Sequence, residues 1–458
     1  MIENDAFKLL LINLFHLNPD DIANILCTTF NKMMVLVVTL ADKHQACPYC
    51  GFTAPKIKEY VTKEITHSAL TTQKCIIKYR ARRYKCSCCG KTYYEFNPFV
   101  FKSQKISILT VHNILKDLKD FNETFTSVAR RYHVSPTSVS TIFDKHVDIG
   151  RNPLPEIINF DEVYAFKSEK SKYVCVLLDF KKQIPVDVLP NRKKEYLLNY
   201  FQKIPLEERK KVKYACSDMY EVYRDVVHKV FPSCCMLLDY FHLSQDFHRK
   251  MNEVRIKVMK GYKDNKASDE YYLLKKFNWL LFKNPEDEDK YGRLFDVERE
   301  RKYNSHFKSY MNYYDLRKKI LEINNDLTIC YSLKLELVDF YSKSTIDNAQ
   351  VNLEHLIRSF IDTNIEEMIK FSNNLINWKQ EIINSFTIVG TEYKVEADKG
   401  QVVVCNKKVN NAIIENRNKI IKCIKNNANG YTNWLRFRNR VMYVLDPNAT
   451  FSLEPREK

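Results

Sequence analysis

The chain has 458 residues, more than one ordinary domain holds, so we expect roughly three or four folded units. Its formal net charge of +17 favours a polyanionic partner, because lysine and arginine side chains that neutralise phosphates release condensed counterions. The longest apolar run, at positions 33–41, is far below the roughly 20 residues that cross a bilayer, so we expect no membrane-spanning segment.

The N-terminal segment, residues 1–45, is predicted to form a short helix followed by a strand, Met33–Leu40. Glu3 and Asp5 precede its first apolar run, unlike the basic start of a signal peptide. We therefore expect a cytoplasmic protein. In that reducing environment, clustered cysteines are interpreted as metal ligands rather than as disulfides.

Two C-x-x-C motifs, each followed by glycine, mark residues 46–96 as a zinc-binding domain. Two thiolate pairs form a closed tetrahedral site, which is structural because no coordination position stays open. Cys88 lies inside the second motif and leaves the choice of ligand there open, whereas His67 and Cys75 are interpreted as non-ligands. The predicted zinc ligands are Cys47, Cys50, Cys86 and Cys89.

Positive charge is concentrated around these motifs. Residues 47–105 contain 12 lysines and arginines against 3 acidic residues, a net charge of +9 (12 − 3). A cationic strand at 80–85 leads directly into the second cysteine pair, so a bound metal would fix that strand for contact with phosphates. Double-stranded DNA is therefore the predicted partner. The predicted phosphate contacts are Arg80, Arg82, Arg83 and Lys85.

Residues 100–150 carry the pattern of a helix-turn-helix DNA-binding domain. The small Ala129 permits a close helix crossing, and Ser135 followed by Pro136 is typical of the start of the second helix. An ordinary helical hairpin is the alternative interpretation. The side chains predicted to face the major groove are Thr137, Ser138, Thr141 and Lys145.

Beyond a predicted linker at 151–155, the pattern changes to short β-rich runs with a helix at 195–201. A long, charged region with helical spacing extends from 243 to about 388. A short strand at 402–405 precedes a helix at 411–426. The predicted strands of the β-rich region are 157–160, 172–178, 184–189, 212–216 and 235–238.

Asp161 and Asp218 each follow one of these apolar strands. Acids at the ends of adjacent buried strands point into one crevice, where they can hold two divalent ions roughly 4 Å apart for phosphoryl transfer. Oxygen ligands suit Mg²⁺ or Mn²⁺. A third carboxylate must come from elsewhere, and composition alone does not identify it among 56 acidic residues.

From Cys47 to the C-terminal helix, the chain resembles the bacterial insertion-sequence transposases of the ISL-three family, within the DDE superfamily. The resemblance rests on the order of several short motifs rather than on any one of them. They are the two cysteine motifs, 82–86, the helix-turn-helix, 160–167, 216–223, 238–243, 411–418 and 430–431.

The resemblance implies a DNA transposase whose catalytic acids and metal ligands are Asp161, Asp218 and Glu415, the last identified by the resemblance alone. Asp239 and His242 match a further family motif and are assigned auxiliary roles, with a purely structural His242 as the alternative. The implied activity is binding of terminal inverted repeats, metal-dependent strand cleavage and strand transfer into target DNA. A homodimer or larger synaptic complex, associated with the bacterial nucleoid, is implied as well.

The predicted fold is a multidomain α+β protein in which a large all-helical insertion interrupts a ribonuclease-H-like α/β core. The predicted units are an N-terminal helix and strand (1–45), the zinc-binding domain (46–96), the helix-turn-helix domain (100–150), the first part of the core (156–242), the helical insertion (243–390), the last part of the core with the Glu415 helix (391–446) and a tail (447–458).

Alternative functions are a DNA-binding repressor with an inactive nuclease fold and another ribonuclease-H-like nuclease. The presence of all three acids argues against the repressor. The combination of zinc motifs and helix-turn-helix argues for sequence-specific duplex DNA and so against other nucleases. A zinc-dependent hydrolase is disfavoured because four thiolates leave no open coordination position.

Overall fold

The computed structural model describes residues 2–43, 45–53, 55–68, 72–101, 104–166, 171–395 and 402–456. Within them the chain is a mixed α/β protein of several packed units, with a cysteine cluster near its N-terminus. No helix in these ranges is long and apolar enough to cross a membrane.

The N-terminal unit is a mixed sheet with one helix packed on it. The sheet order is β1-β2-β4-β3, and β5 pairs with β4. Ile12 of the helix and Phe15, which directly follows it, pack against Leu36 and Ile77 of the sheet. The predicted strand Met33–Leu40 is confirmed, whereas the strand before it was not predicted. The elements are α1 (Ile2–Leu14), β1 (Ile22–Phe30), β2 (Met33–Leu40), β3 (Lys56–Thr66), β4 (Cys75–Lys85) and β5 (Thr92–Tyr94).

A three-helix unit follows, formed by α2 (Ile108–Asp117), α3 (Phe125–Arg131) and α4 (Pro136–His146). Ser135 caps α4, accepting a hydrogen bond from the amide of Ser138 at 3.0 Å, and Pro136 occupies the first turn, as predicted. Val139, Ile142 and Phe143 of α4 are buried against the other helices. The other helices pack on this face of α4, and the opposite face is open to solvent.

The central sheet has the strand order β10-β9-β6-β7-β8. β6, β7 and β8 are antiparallel neighbours, whereas β6, β9 and β10 run parallel. The five strands and the first helix predicted for this region are confirmed. The elements are β6 (Ile157–Val163), β7 (Val174–Asp179), β8 (Pro185–Leu189), α5 (Lys194–Gln202), α6 (Leu206–Arg209), β9 (Tyr214–Ser217), α7 (Glu221–Val230) and β10 (Cys235–Leu238).

The region after β10 is mostly helical, but the prediction that it is entirely helical was wrong. Two short hairpins interrupt it. Gly292, which begins the second strand of one hairpin, has φ 96°, and Lys308, in the turn of the other, has φ 48°; both left-handed conformations reverse the chain direction. The elements are α8 (Tyr240–Lys260), α9 (Asp269–Lys276), β11 (Glu288–Asp289), β12 (Gly292–Arg293), β13 (Lys302–Asn304), β14 (Ser309–Met311), α10 (Tyr313–Glu322), α11 (Asn325–Lys343), α12 (Ala349–Ile361), α13 (Glu366–Asn377) and α14 (Lys379–Asn384).

The last elements return to the central sheet and to the three-helix unit. They are β15 (Ile388–Val395), β16 (Val402–Lys408), α15 (Ala412–Asn427) and α16 (Trp434–Leu445). The predicted strand and the helix after it are confirmed as β16 and α15, whereas β15 was not predicted. α15 and α16 cover one face of the central sheet, and α5 and α7 cover the other, so the sheet is the middle of three layers.

α16 also joins the central sheet to the three-helix unit. The ring of Tyr443 lies in the core of that unit. The buried Arg440 donates from Nη2 to the carbonyls of Asp120 at 2.8 Å and Glu123 at 2.7 Å. Beyond α16, the carbonyl of Ser452 lies 2.7 Å from Nδ1 of His146. The three-helix unit is therefore held against the rest of the protein by buried contacts.

Candidate active site and DNA-binding surfaces

Three acids lie at one edge of the central sheet. Asn159 of β6 is level with Cys216 of β9, so Asp161 and Asp218, each two residues further on, reach the same edge. Ser217 of β9 is level with Leu238 of β10, which brings Asp239 to that edge as well. Parallel pairing of three neighbouring strands sets these positions. The prediction that Asp161 follows its strand was wrong, because β6 continues to Val163 and Asp161 pairs there with Val176 of β7.

Two of these carboxyl groups are buried with few neighbouring groups to stabilise their negative charge. Burial, together with the nearby negative charge of Asp218, raises the pKa of Asp161 to about 7. Burial likewise raises the pKa of Asp218 to about 6. Oδ1 of Asp218 is buried and has no hydrogen-bond partner among the described atoms. A buried carboxylate without a partner is costly, so this edge favours a bound cation.

Asp161 differs from its neighbour Glu162 in what it contacts. Glu162 forms an ion pair with Arg192 and accepts from the hydroxyl of Tyr223 at 3.4 Å. Asp161 pairs with no cation within the described ranges. It accepts from the amide of Glu162 and from Nδ2 of Asn418, both at 2.7 Å. Of the two adjacent acids, Asp161 is the one with charge available for a metal ion.

Glu415 approaches the acids from the first turn of α15. Its Oε1 lies 3.7 Å from Nε2 of His242, and that nitrogen lies 3.8 Å from Oδ2 of Asp239. One ligand atom from each of these three residues lies within 4.8 Å of the others, a spacing that could hold a metal ion. His242 also interacts electrostatically with Asp161 and Asp218. Among the described residues, the group with metal-ligand spacing therefore contains Asp239, His242 and Glu415, whereas Asp161 and Asp218 lie near His242 but outside that group.

Three asparagines at this site were missed by the sequence analysis. Asn411 is fully buried, and its amide and side chain donate to Oδ1 of Asp239 at 3.1 Å and to the carbonyl of Phe160 at 3.2 Å. Asn159 donates to Oδ1 of Asn411 at 2.7 Å. These bonds fix the start of α15 against two strands. Asn418 was detectable, because a residue three positions after Glu415 lies on the same helix face.

The cysteine cluster has the geometry of a tetrahedral thiolate site. The Sγ atoms of Cys47 and Cys89 are 3.7 Å apart, and those of Cys50 and Cys86 are 3.5 Å apart. These distances fit the edge of about 3.8 Å that four sulfurs would have around Zn²⁺ at about 2.3 Å. Cys88 is exposed and lies outside the cluster.

The backbone and the neighbouring residues of the cluster agree with what the two motifs predict. Gly51 and Gly90, which follow the two motifs, have φ of 73° and 70°, where a side chain would strain the turn. Hydrogen bonds from the amides of Cys89 and Cys88 lower the pKa of the Cys86 thiol to about 6, although burial opposes them. The residues interpreted as non-ligands, His67 and Cys75, are buried in the N-terminal unit. The cluster is therefore compatible with zinc.

The four predicted phosphate contacts on β4 have different surroundings. Arg80 and Lys85 are exposed, and Arg80 stacks over the ring of Tyr60 at 4.8 Å. Arg83 pairs with Glu59 at 2.6 Å near the surface. Arg82 instead turns inward, pairing with the buried Glu95 at 2.8 Å. It also donates to the carbonyl of Leu40 at 3.1 Å, so its guanidinium holds the unit together.

The four residues predicted to face the major groove all lie on α4. Thr137 and Thr141 are exposed, and Ser138 and Lys145 are half-buried. The side chain of Ser138 shares a hydrogen bond of 2.8 Å with that of Ser135. They occupy the open face of α4, opposite its buried face.

A family model described as transposase, that of the DDE transposase family ISL3 (ISL-three), matches residues 158–397. The match covers 240 residues (397 − 158 + 1), more than half of the 458-residue chain, so the chain belongs to this family. It is a DNA transposase, and the resemblance noted in the sequence is confirmed. As a DDE enzyme it is a polynucleotidyl transferase or nuclease. It is similar to the transposase for insertion sequence element IS1001 of Bordetella parapertussis, with 19% identity over 409 residues, 89% of this chain and 90% of that protein.

Proposed function

We propose that the protein binds the terminal inverted repeats of its insertion sequence and cuts and joins DNA at Asp161, Asp218 and Glu415. The observation that carries the proposal is the unpartnered Oδ1 of Asp218, buried at a sheet edge beside a second carboxyl of raised pKa. Such a donor set of hard oxygens fits Mg²⁺ or Mn²⁺.

The central sheet supports a ribonuclease-H-like core. Three antiparallel strands, β6 to β8, come first, and β9 and β10 then add in parallel on the other side of β6. Residues 240–384 lie between β10 and the hairpin that precedes α15, which is where the resemblance implied an insertion. The insertion therefore separates Asp218 from Glu415 in the sequence, while His242 lies 3.7 Å from Glu415 and interacts electrostatically with Asp218.

Each residue of the site has a definable task. Asp161, Asp218 and Glu415 supply carboxylate oxygens for divalent ions. Bound ions would stabilise the charge on the attacked phosphate and on the attacking and leaving oxygens. Asn418 holds Oδ2 of Asp161 by its hydrogen bond of 2.7 Å, which fixes the direction of the other lone pairs.

His242 and Asp239 act as auxiliary residues in this proposal. The 3.7 Å and 3.8 Å separations from Nε2 of His242 place the imidazole between Glu415 and Asp239. It can therefore orient the Glu415 carboxylate or join the ligand set. Asp239 in turn accepts from the amide of Asn411, which ties the start of α15 to the end of β10.

DNA recognition is assigned to the N-terminal unit and the three-helix unit, the latter as a helix-turn-helix. The open face of α4 would read bases in the major groove through Thr137, Ser138, Thr141 and Lys145. Zinc held by the cysteine cluster would keep the end of β4 in place, with Arg80, Arg83 and Lys85 towards the phosphates. Arg82 is excluded from that role because its guanidinium is committed to Glu95 and Leu40.

Strand transfer joins two element ends to target DNA, so the active species is proposed to be a homodimer or larger synaptic complex. The chain's net charge of +17 suits a protein that holds several DNA segments at once.

The test is cleavage of a duplex carrying the element's end, with Mg²⁺, Mn²⁺ or EDTA. Asp161→Asn, Asp218→Asn and Glu415→Gln should each lower the cleavage rate by about 1000-fold or more while DNA binding persists. Asp225→Asn is the control, since that carboxylate pairs only with Lys194 at the surface. Wild-type protein that binds but never cuts would refute the proposal and favour a repressor.

A further inference from the structure

A polar cleft lies between the start of α3 and the chain that connects α15 to α16. Its volume is about 450 Å³. One wall belongs to the three-helix unit, and the other is the connection that follows the Glu415 helix, residues 427–433. No carboxylate lines it among the residues that the structure describes.

The cleft presents hydrogen-bond donors that have no partner among the described residues. The side chains of Thr126, Arg130, Asn427, Asn429 and Thr432 line it and are exposed. Among the described residues, none of these side chains makes a hydrogen bond or ion pair with another group. One guanidinium and several neutral donors, without a competing acid, form a surface complementary to an anion.

The walls of the cleft are fixed to each other. Arg436 joins them, donating from Nε and Nη2 to the carboxylate of Asp144 in α4 at 2.9 and 2.6 Å. The ring of Phe125 packs edge-on against that of Tyr431 at 6.3 Å. Arg440 holds the carbonyls just before α3. The donors are therefore arranged before any ligand arrives, which lowers the entropic cost of binding.

We propose that this cleft binds a backbone phosphate of the DNA substrate, independently of base sequence. The inference rests on the proposed DNA binding by the three-helix unit. In a helix-turn-helix the first helix crosses the DNA backbone, and here α3 is that helix and carries Arg130. A phosphate bound in the cleft would touch both the recognition unit and the residues that directly follow the catalytic helix α15.

The proposal is tested by the affinity of the full chain for a mixed-sequence DNA duplex, measured over a series of salt concentrations in EDTA. Arg130→Gln should weaken binding about tenfold and reduce the slope of log K against log salt by about 1. Thr432→Asp, which puts a carboxylate into the cleft, should weaken binding at least as much. Both changes should weaken binding to unrelated sequences equally, since a phosphate carries no base information.

Matched controls keep the result specific to the cleft. Lys263→Gln removes a positive charge and Thr345→Asp adds a negative one at exposed positions of the helical region, and both should bind DNA like wild type. Thermal unfolding checks each variant, and Thr432→Asp decides the matter if Arg130→Gln does not fold.

Lys145→Gln distinguishes the phosphate cleft from the wider proposal that the three-helix unit binds DNA. If only Lys145→Gln weakens binding, the phosphate cleft is refuted and DNA binding by the three-helix unit stands. If none of the three variants weakens binding, both proposals fail. Unchanged affinity of Thr432→Asp alone also contradicts the cleft.

Discussion

The protein holds two candidate metal sites that are built in opposite ways. The cysteine cluster takes its ligands from two short motifs joined by one hairpin, β3 and β4, which spans residues 56–85. The acidic site takes its residues from within β6, from the ends of β9 and β10, and from helices, spread in the sequence from Asp161 to Glu415. Local motifs can be recognised from spacing, whereas an assembled site depends on the folded sheet.

The two sites also differ in what their loss should do to the fold. The cysteine cluster lies over Tyr84 and Tyr93 in a small core of its own, so a bound metal supplies much of the local stability. The acids lie at the edge of a sheet whose two faces are already covered by helices. The first site should therefore be needed for folding and the second only for chemistry.

The largest expected effect follows from Cys86→Ser. If zinc is bound there, the change should release it and lower the free energy of unfolding of the region around the cluster by about 3 kcal/mol or more, because the metal would hold the small core of that region together. Cys88→Ser is the matched control and should change neither quantity, since Cys88 lies outside the cluster. Zinc content and thermal unfolding measure both. The Asp218→Asn variant should retain its zinc and its fold. Loss of either would contradict the proposed difference between the two sites.

A second effect concerns Arg82, for which the sequence predicted the same phosphate contact as for its basic neighbours on β4. Arg82→Gln should lower the free energy of unfolding by about 3 kcal/mol, because it leaves Glu95 buried without its partner. Arg80→Gln should leave stability unchanged and weaken DNA binding. Chemical denaturation and a DNA-binding titration check the pair. Equal effects of the two substitutions on stability would contradict the assigned roles.

At the acidic site, Asn418→Ala should reduce cleavage by about 10- to 100-fold, because the hydrogen bond that orients Asp161 is lost. Asn416→Ala is the control, since Asn416 lies exposed on the same helix. The readouts are single-turnover cleavage and its dependence on Mg²⁺ concentration. A purely structural role would lower stability without raising the Mg²⁺ concentration required.

The smallest expected effect is an acid sensitivity of the N-terminal unit. Burial lowers the pKa of His67 below its ordinary value of 6.5, and the ring lies 2.8 Å from the carbonyl of Phe15. Below about pH 6.5 the unfolded chain takes up a proton that the folded chain does not, so stability falls there by up to about 1.4 kcal/mol per pH unit. Above pH 6.5 the His67 imidazole is unprotonated in both the folded and the unfolded chain, so its contribution to stability no longer changes with pH.

Thermal unfolding at pH 7.5 and pH 5.5 would measure that effect for wild type and His67→Gln. The wild-type protein should lose more stability between these pH values than the variant does. The comparison cancels the acid response of the thiolates, which the two proteins share. Equal losses would mean that His67 titrates normally.

The sequence predicted each strand of the central sheet, because each is a short apolar run bounded by polar residues. It did not predict β1, an edge strand in which only Ile22 and Ile25 are buried, so that alternation is absent, nor β15. The hairpins of the helical region were missed because Gly292 and Lys308 turn the chain within otherwise charged, helix-like sequence.

For the sites, four cysteines and two aspartates could be located from spacing and strand ends. Glu415 needed the family resemblance, since the sequence alone does not show which of the 56 acidic residues packs beside the two aspartates. The bonds from Asn411 and Asn418 to the acids depend on how α15 packs on β6, which local sequence does not encode. Long-range assembly, rather than residue chemistry, limited the prediction.

The contacts of α16 with the three-helix unit have a consequence for synthesis on the ribosome. Tyr443 completes the core of helices that end at His146, and Arg440 satisfies carbonyls beside α3. Some 300 residues must therefore leave the ribosome between those helices and the side chains that complete their packing. A nascent chain can begin to form the three-helix unit early, but the packing of that unit is complete only when synthesis has passed α16.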